Sequence, residues 1–364
     1  MKLAVRLDDL SEDYLRFHAQ LGIHYCSFLF WPLLMSEEGA RGIVKADALR
    51  DIQRQCRTFG IEPYCFLLPQ GRDTQYWHAR FGRSPEAEAE IENVCETIRI
   101  CGDCGIPVIE WTWSIPDVFG RIPWPVNTGR GGARVSRFDY YLCQDRRPEY
   151  AVDMDADEMW ANIIYFMERI MPVAEQAGVR MAMHHHDPPT DWLAGEARIL
   201  NSFAGMKRMV EEVDSPANGF NICQGTVAEQ AGSDVLGIIR YFGERDRINH
   251  VHFRNVKGSV PVFDESFIDD GDVDMYEAMK VYKEVGYRHI FIPTMSPASP
   301  ETRPDSPRAH LPSATSARSY RSLSMTIPAT LLAVTPYSPS GSPFRCRPIL
   351  RWRPEPPRPG DEPG

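Results

Sequence analysis

Two rhythms of apolar positions alternate along this chain. Short continuous apolar runs read as strands, and between them apolar residues recur at helical spacing. The strand-type runs are Lys2–Leu7, His24–Phe30, Glu62–Leu68, Pro107–Trp113, Val179–His184, Gly219–Ile222, Ile248–Phe253 and His289–Pro293. The helical stretches are Ser11–Leu21, Ala46–Phe59, Pro85–Cys104, Asp155–Ala177, a segment near Met206–Val213, the set Val235, Ile238, Ile239 and Phe242, and Met275–Val285. Ser11 stands where an N-cap belongs, and Gly60 and Gly105 stop their helices. Strand and helix alternating with mostly short links predict an α/β fold, a (β/α)8 barrel over residues 1–293.

The stretch Gly219–Asn255 organises the rest. Its two strands flank one helix, so both run in parallel and end on the same edge of the sheet. Cys223 closes the first strand and His252 lies near the end of the second, while His184-His185-His186 closes the strand before them. A barrel places its chemistry at these C-terminal strand ends. His184, Cys223 and His252 are therefore candidate metal ligands: imidazole with thiolate suits Zn²⁺, Fe²⁺ or Mn²⁺, and three protein ligands leave positions open. A single His or Cys is more often packing, but three at successive strand ends argue for a site. His250 shares a strand face with His252 and is the rival ligand.

The long connection Ser114–Val152 reads as a lid or binding loop. Within it Arg130 and Arg134 either meet an anionic substrate or belong to a solvated loop. Cys101-Gly-Asp-Cys104 ends a helix with no matching second pair, so buried packing is preferred to a redox or zinc role. The net charge of -10 argues against nucleic-acid binding, which needs a basic face. No run of 18 apolar residues is present to span a membrane, and the start turns acidic too soon for a signal peptide. Nine irregularly spaced cysteines suggest reduced thiols and a cytoplasmic protein.

Four segments carry a resemblance: His184-His-His-Asp-Pro-Pro189, Asn221-Ile-Cys-Gln-Gly-Thr226, His250-Val-His-Phe-Arg-Asn255, and Phe263-Asp-Glu-Ser-Phe267 followed by Gly271-Asp-Val-Asp-Met275. Together they resemble the mannonate dehydratases, a family of xylose-isomerase-like barrels, from about Ile91 to Pro293. The resemblance implies a Mn²⁺- or Fe²⁺-dependent hydro-lyase of hexuronate catabolism. It would convert D-mannonate, a small sugar acid, to 2-keto-3-deoxy-D-gluconate. His184, Cys223 and His252 would hold the metal, and Arg254 would pair the substrate carboxylate unless it serves a rim ion pair. The catalytic base is not identified. A metal-dependent isomerase or epimerase of the same barrel class, or a sugar-acid-binding relic without catalysis, are the alternatives. Oligomers are common for such barrels, although nothing in the sequence marks an interface.

The chain departs from the family in two places. His185-His186 stand where Pro-Asp is usual, and Pro293-Thr294-Met295 stands where a Pro-Asp-His segment would supply a fourth ligand and a proton-transfer histidine. From 294 to 364 the composition also changes, with half of the chain's 30 prolines, nine arginines and no lysine. Taken alone, 294–364 reads as a disordered Pro/Arg/Ser-rich tail, leaving the barrel incomplete at its eighth helix. A slipped reading frame also accounts for it. Permissive GC-rich codons for Pro293–Glu301, regrouped from the third base, read Asp-His-Val-Pro-Gly-Ile-Ala-Gly.

Overall fold

The computed structural model describes residues 1–294 apart from 37–38, 71–73, 115–119 and 123. Eight parallel strands close into a barrel: β1 (Lys2–Leu7), β2 (Tyr25–Phe28), β3 (Glu62–Leu67), β4 (Val108–Thr112), β5 (Arg180–His184), β6 (Asn218–Cys223), β7 (Ile248–Phe253) and β8 (Ile290–Pro293). They follow one another around the barrel in chain order, and Lys2 with Ile290 and Leu3 with Phe291 join β1 to β8. The expected barrel is the observed one. Lys2–Leu7 and Ile248–Phe253 match their expected bounds, five expected strands overrun by one or two residues at an end, and β6 is one residue longer at each end than expected, because pairing rather than apolarity sets where a ladder stops.

The helices between the strands are α1 (Glu12–Gln20), α2 (Ala46–Thr58), α3 (Pro85–Asp103), α4 (Ala156–Ala177), α5 (Phe203–Glu212), α6 (Val235–Glu244) and α7 (Met275–Glu284). In α4 the buried residues Met159, Ile163, Phe166, Met167, Ile170 and Ala174 recur at helical spacing, so one stripe faces the core. Gly60 and Gly105 take φ of +72° and +73°, the left-handed conformation that ends α2 and α3. Inside the barrel Ala4, Cys65, Leu67, Val108, Ala182, Ile290 and Ile292 pack as one buried cluster. Cys101 is fully buried in α3, and all described cysteines are free, in keeping with a packing role. No helix among the described residues is long and apolar enough to cross a membrane.

One element has no counterpart in the sequence reading. Val256–Ser259 and Val262–Glu265 form an antiparallel hairpin just after β7, and Arg137–Asp139 from the long connection adds a third strand. Ile122, Phe138, Cys143, Val256 and Phe263 bury one another beside it. The 114–152 connection is therefore tied to the hairpin at its middle rather than running free. The reading of 294–364 as a disordered or out-of-frame tail, with the missing eighth helix, lies outside the described residues beyond Thr294.

Helix starts differ in what holds them. Asp155 accepts from the Glu158 amide at 2.9 Å, and Asp274 accepts from the Tyr276 and Glu277 amides at 3.0 Å each. Ser11 stands at the N-cap of α1, but its hydroxyl donates to Asp9 at 2.7 Å and caps nothing. In urea unfolding, Asp155→Ala and Asp274→Ala should each lower stability by about 1 kcal/mol, whereas Ser11→Ala should change it by only a few tenths of that.

Candidate metal centre and its ion-pair network

Register assembles the site. Thr112 on β4 lies beside His184 on β5, His184 beside Asn221 on β6, and Cys223 beside His252 on β7. Parallel strands end on one edge, so three donors from successive strands meet there. The ligand atoms of His184, Cys223 and His252 all lie within 4.8 Å of one another. The Nδ1 of His184 lies 2.8 Å from the His185 carbonyl oxygen. Donation to that oxygen places the ring proton on Nδ1 and leaves the Nε2 lone pair for an ion. His252 is steadied by Asn221, whose side-chain nitrogen lies 3.1 Å from its Nε2.

The electrostatics favour a cation. Burial alone would raise the Cys223 thiol, but Arg254 and hydrogen bonds to His184 and His252 outweigh it and hold it well below its ordinary value. Burial would lower His184, but its hydrogen bond to Cys223, then the charges of Cys223, Glu110 and Asp187, push it up to about 9. The ion-free site is thus a thiolate–imidazolium pair, in which a divalent ion takes the place of a proton. The soft and borderline donors fit a transition metal.

The two histidines that follow are not ligands in this arrangement. His185 accepts the Cys223 backbone N–H at its Nε2 (3.1 Å), and His186 accepts the Leu200 N–H at its Nδ1 (3.2 Å). Burial, followed by the charge of His184, lowers His185 to about 3, and burial with the charge of Arg198 lowers His186 well below its usual value. Both therefore stay neutral and able to accept. His250 groups with Cys65 and Glu110 rather than with the three donors, so the rival ligand belongs to a different cluster.

Arg254 does not stand open to a substrate carboxylate. Only 1% of its side chain is exposed. Its Nε meets Glu265 at 2.7 Å, Nη1 meets Asp187 at 2.9 Å and Cys223 Sγ at 3.4 Å, and Nη2 meets Glu229 and Glu265. The rim ion pair is the role the structure gives it, and through it Arg254 holds the Cys223 sulfur. Arg121, unforeseen in the sequence, joins the same acids: Asp187 at 2.9 Å, Glu265 at 3.0 Å and Glu229 at 3.5 Å. Burial raises Glu229 well above the carboxylate range, and Asp187 and Glu265 add to this against the two guanidinium groups. Arg130 is 51% exposed and forks onto Asp269 at 3.1 Å through both terminal nitrogens.

The sequence reading also passed over Glu110, a buried carboxylate whose Oε2 lies 3.7 Å from His252 Nε2. A lone acid inside the apolar run Val108–Thr112 was the available signal. Asp187 and Glu265 lie inside segments that carry the resemblance, yet nothing there marked them as partners of an arginine, and Glu229 had no signal at all. A cleft of about 370 Å³ lined by Tyr140, Pro189, Thr190, Asp191, Trp192, Val260 and Pro261 lies at the hairpin turn, and none of the three donors lines it.

A sequence profile described as D-mannonate dehydratase (UxuA) matches residues 144–310, which include all three donors. The curated mannonate dehydratase of Thermotoga petrophila is 26% identical over 252 residues, covering 57% of this chain and 67% of its own. That of Streptococcus agalactiae serotype V is 40% identical over 144 residues, 39% of this chain and 41% of its own. Among solved structures, the mannonate dehydratase of Streptococcus suis serotype 2 superposes with a TM-score of 0.72 at 23% identity, over 89% of this chain and 93% of that one. A 3-keto-D-glucoside 4-epimerase of E. coli shares the fold with a TM-score of 0.57 at 11% identity, over 89% and 99%.

Two outcomes are expected. Because His184 is pushed up to about 9, metal loading must expel its proton, so apparent affinity should fall as pH drops below that value. Calorimetry with Mn²⁺ at pH 7 in buffers of different ionisation enthalpy should show close to one proton released per ion. Arg254→Met should strand buried carboxylates and lower stability by about 3–5 kcal/mol, read by chemical denaturation.

Proposed function

We propose, from the premise that this chain belongs to the mannonate dehydratase family, that it removes water from D-mannonate to give 2-keto-3-deoxy-D-gluconate. The observation that carries the reading is the convergence of His184, Cys223 and His252 within 4.8 Å, inside the segment matched by the family profile. These three residues would hold Mn²⁺ or Fe²⁺. When bound there, such an ion would supply positive charge to offset the negative charge that develops as the weakly acidic proton beside the carboxylate is removed.

The chain's own groups set the terms of that chemistry. Arg254 keeps the Cys223 sulfur anionic and in place, and the His185 carbonyl orients His184. The family reaction needs a cation for the substrate carboxylate. Of the three arginines the sequence offers, Arg254 is committed to protein acids, and of the loop pair Arg130 and Arg134 we assign Arg130, which keeps half of its surface open and need only release Asp269. Thr294 follows β8 with a neutral hydroxyl where the resemblance implies a carboxylate ligand. The site consequently lacks a hard anionic donor, and we infer weak binding of Mn²⁺ and slow turnover. The free thiols of the described cysteines support a reducing, cytoplasmic setting.

The test is a D-mannonate assay that follows the 3-deoxy keto acid. The unaltered chain should be slow and metal-dependent, and Cys223→Ser should abolish the activity. Thr294→Asp with Met295→His should raise Mn²⁺ affinity and turnover on the order of tenfold or more. Arg130→Ala should raise KM with kcat little changed. Fast turnover by the unaltered chain would overturn the missing-ligand argument. Conversion of a keto sugar with no 3-deoxy product would replace dehydration by isomerisation. Sugar-acid binding with no turnover even in the restored variant would leave a binding protein.

A further inference from the structure

Deeper in the barrel, below the three donors at its mouth, a second set converges. We propose that Cys65 on β3, Glu110 on β4 and His250 on β7 form a second cation site, one that takes a borderline divalent ion of the Zn²⁺ type. Their ligand atoms lie within 4.8 Å of one another and all three residues are buried. His250 Nδ1 is 3.2 Å from Glu110 Oε2 and 3.9 Å from Cys65 Sγ. Donors bound at about 2.0–2.3 Å around a tetrahedral ion stand about 3.3–3.8 Å apart, so the set needs little movement to close on one.

The polar accounting points the same way. Glu110 Oε2 is buried and pairs with His250 Nδ1 at 3.2 Å without a well-formed hydrogen bond. A buried carboxylate oxygen without a well-formed hydrogen bond is costly, and a coordinated ion satisfies it. A thiolate and a carboxylate also neutralise a divalent ion, so no net charge is left in the core. The simpler arrangement is a Cys65 thiol donating to the Phe66 carbonyl at 3.9 Å beside a Glu110–His250 pair. That arrangement leaves the Cys65 thiol with only a long contact and the Glu110 oxygen with only an imperfect one, and an ion would improve both.

The site is separate from the one at the mouth. Each has its own thiol, Cys65 or Cys223, and its own histidine, with the His250 and His252 rings 5.0 Å apart. Glu110 is the wall between them, 3.7 Å from His252 Nε2. An ion here would tie β3 and β4 to β7 across the barrel and fix the carboxylate that faces His252. This inference does not depend on the dehydratase reading.

Because the site is enclosed, the ion must enter as the chain folds. The full chain, produced in Co²⁺-supplemented medium, should contain two ions per chain by elemental analysis, with thiolate-to-cobalt charge-transfer absorption. Cys223→Ser should keep one ion and part of that absorption, and adding Glu110→Gln or Cys65→Ser should remove both. One ion in the native chain that Cys223→Ser abolishes would overturn the site. So would an ion that Cys223→Ser retains after Glu110→Gln and Cys65→Ser are added, with circular dichroism showing each variant folded. One ion per native chain, kept by Cys223→Ser and lost from Cys65→Ser, would keep this site and remove the one at the mouth.

Discussion

The guanidinium of Arg254, buried among Asp187, Glu229 and Glu265, joins the end of β7 to three separate segments and places a positive charge against the Cys223 sulfur. A guanidinium in a low-dielectric interior is tolerated only when its donors are filled, and planar carboxylates fill them with defined directions. That requirement dictates much of the rim. The hairpin after β7 must return Glu265 to it, and the short helix Gln224–Ala228 must bring Thr226 to it at 3.1 Å. Gly225 leaves the space, because a Cβ there would come within 2.7 Å of the Arg254 side chain.

Seen this way, the segment His250–Asn255 distributes its polar residues over four tasks. His252 belongs to the three-donor set at the mouth, and His250 to the deeper donor set. Arg254 closes the ion-pair network. Asn255 donates to the Ile268 and Val273 carbonyls at 2.9 Å each, and accepts from the Val256 and Val273 amides. The loop between the hairpin and α7 is thus hydrogen-bonded to the strand that carries the ligand. A change anywhere in this segment therefore reaches the His184, Cys223 and His252 set through geometry as well as through charge.

Barrel strands are usually filled by apolar layers, and the lower part of this one conforms. Above the apolar cluster, Glu110, His250, His252, His184 and Cys223 form a continuous polar column toward the mouth. Such a column is stable only while positive and negative charges alternate along it. His184 and Arg254 supply positive charge, while Glu110 and Cys223 supply negative charge.

Local pattern determined the barrel, its strand order and the three candidate donors whose atoms meet at the mouth. An apolar run is a strand almost anywhere, and parallel strands joined through helices must end on one edge. Pairing of residues distant in the chain was decided only by the tertiary structure. The expected role of Arg254 as a substrate contact gave way to an ion pair because its partners lie 11, 25 and 67 residues away. The hairpin and the Arg137–Asp139 strand carry weak apolar patterns and exist because they can pair with one another. Glu110 looked like a misplaced acid until closure of the barrel set His250 and His252 beside it. Periodicity reports which face of an element is buried, whereas the charge a buried side chain will meet depends on closure, and closure is a property of the whole chain.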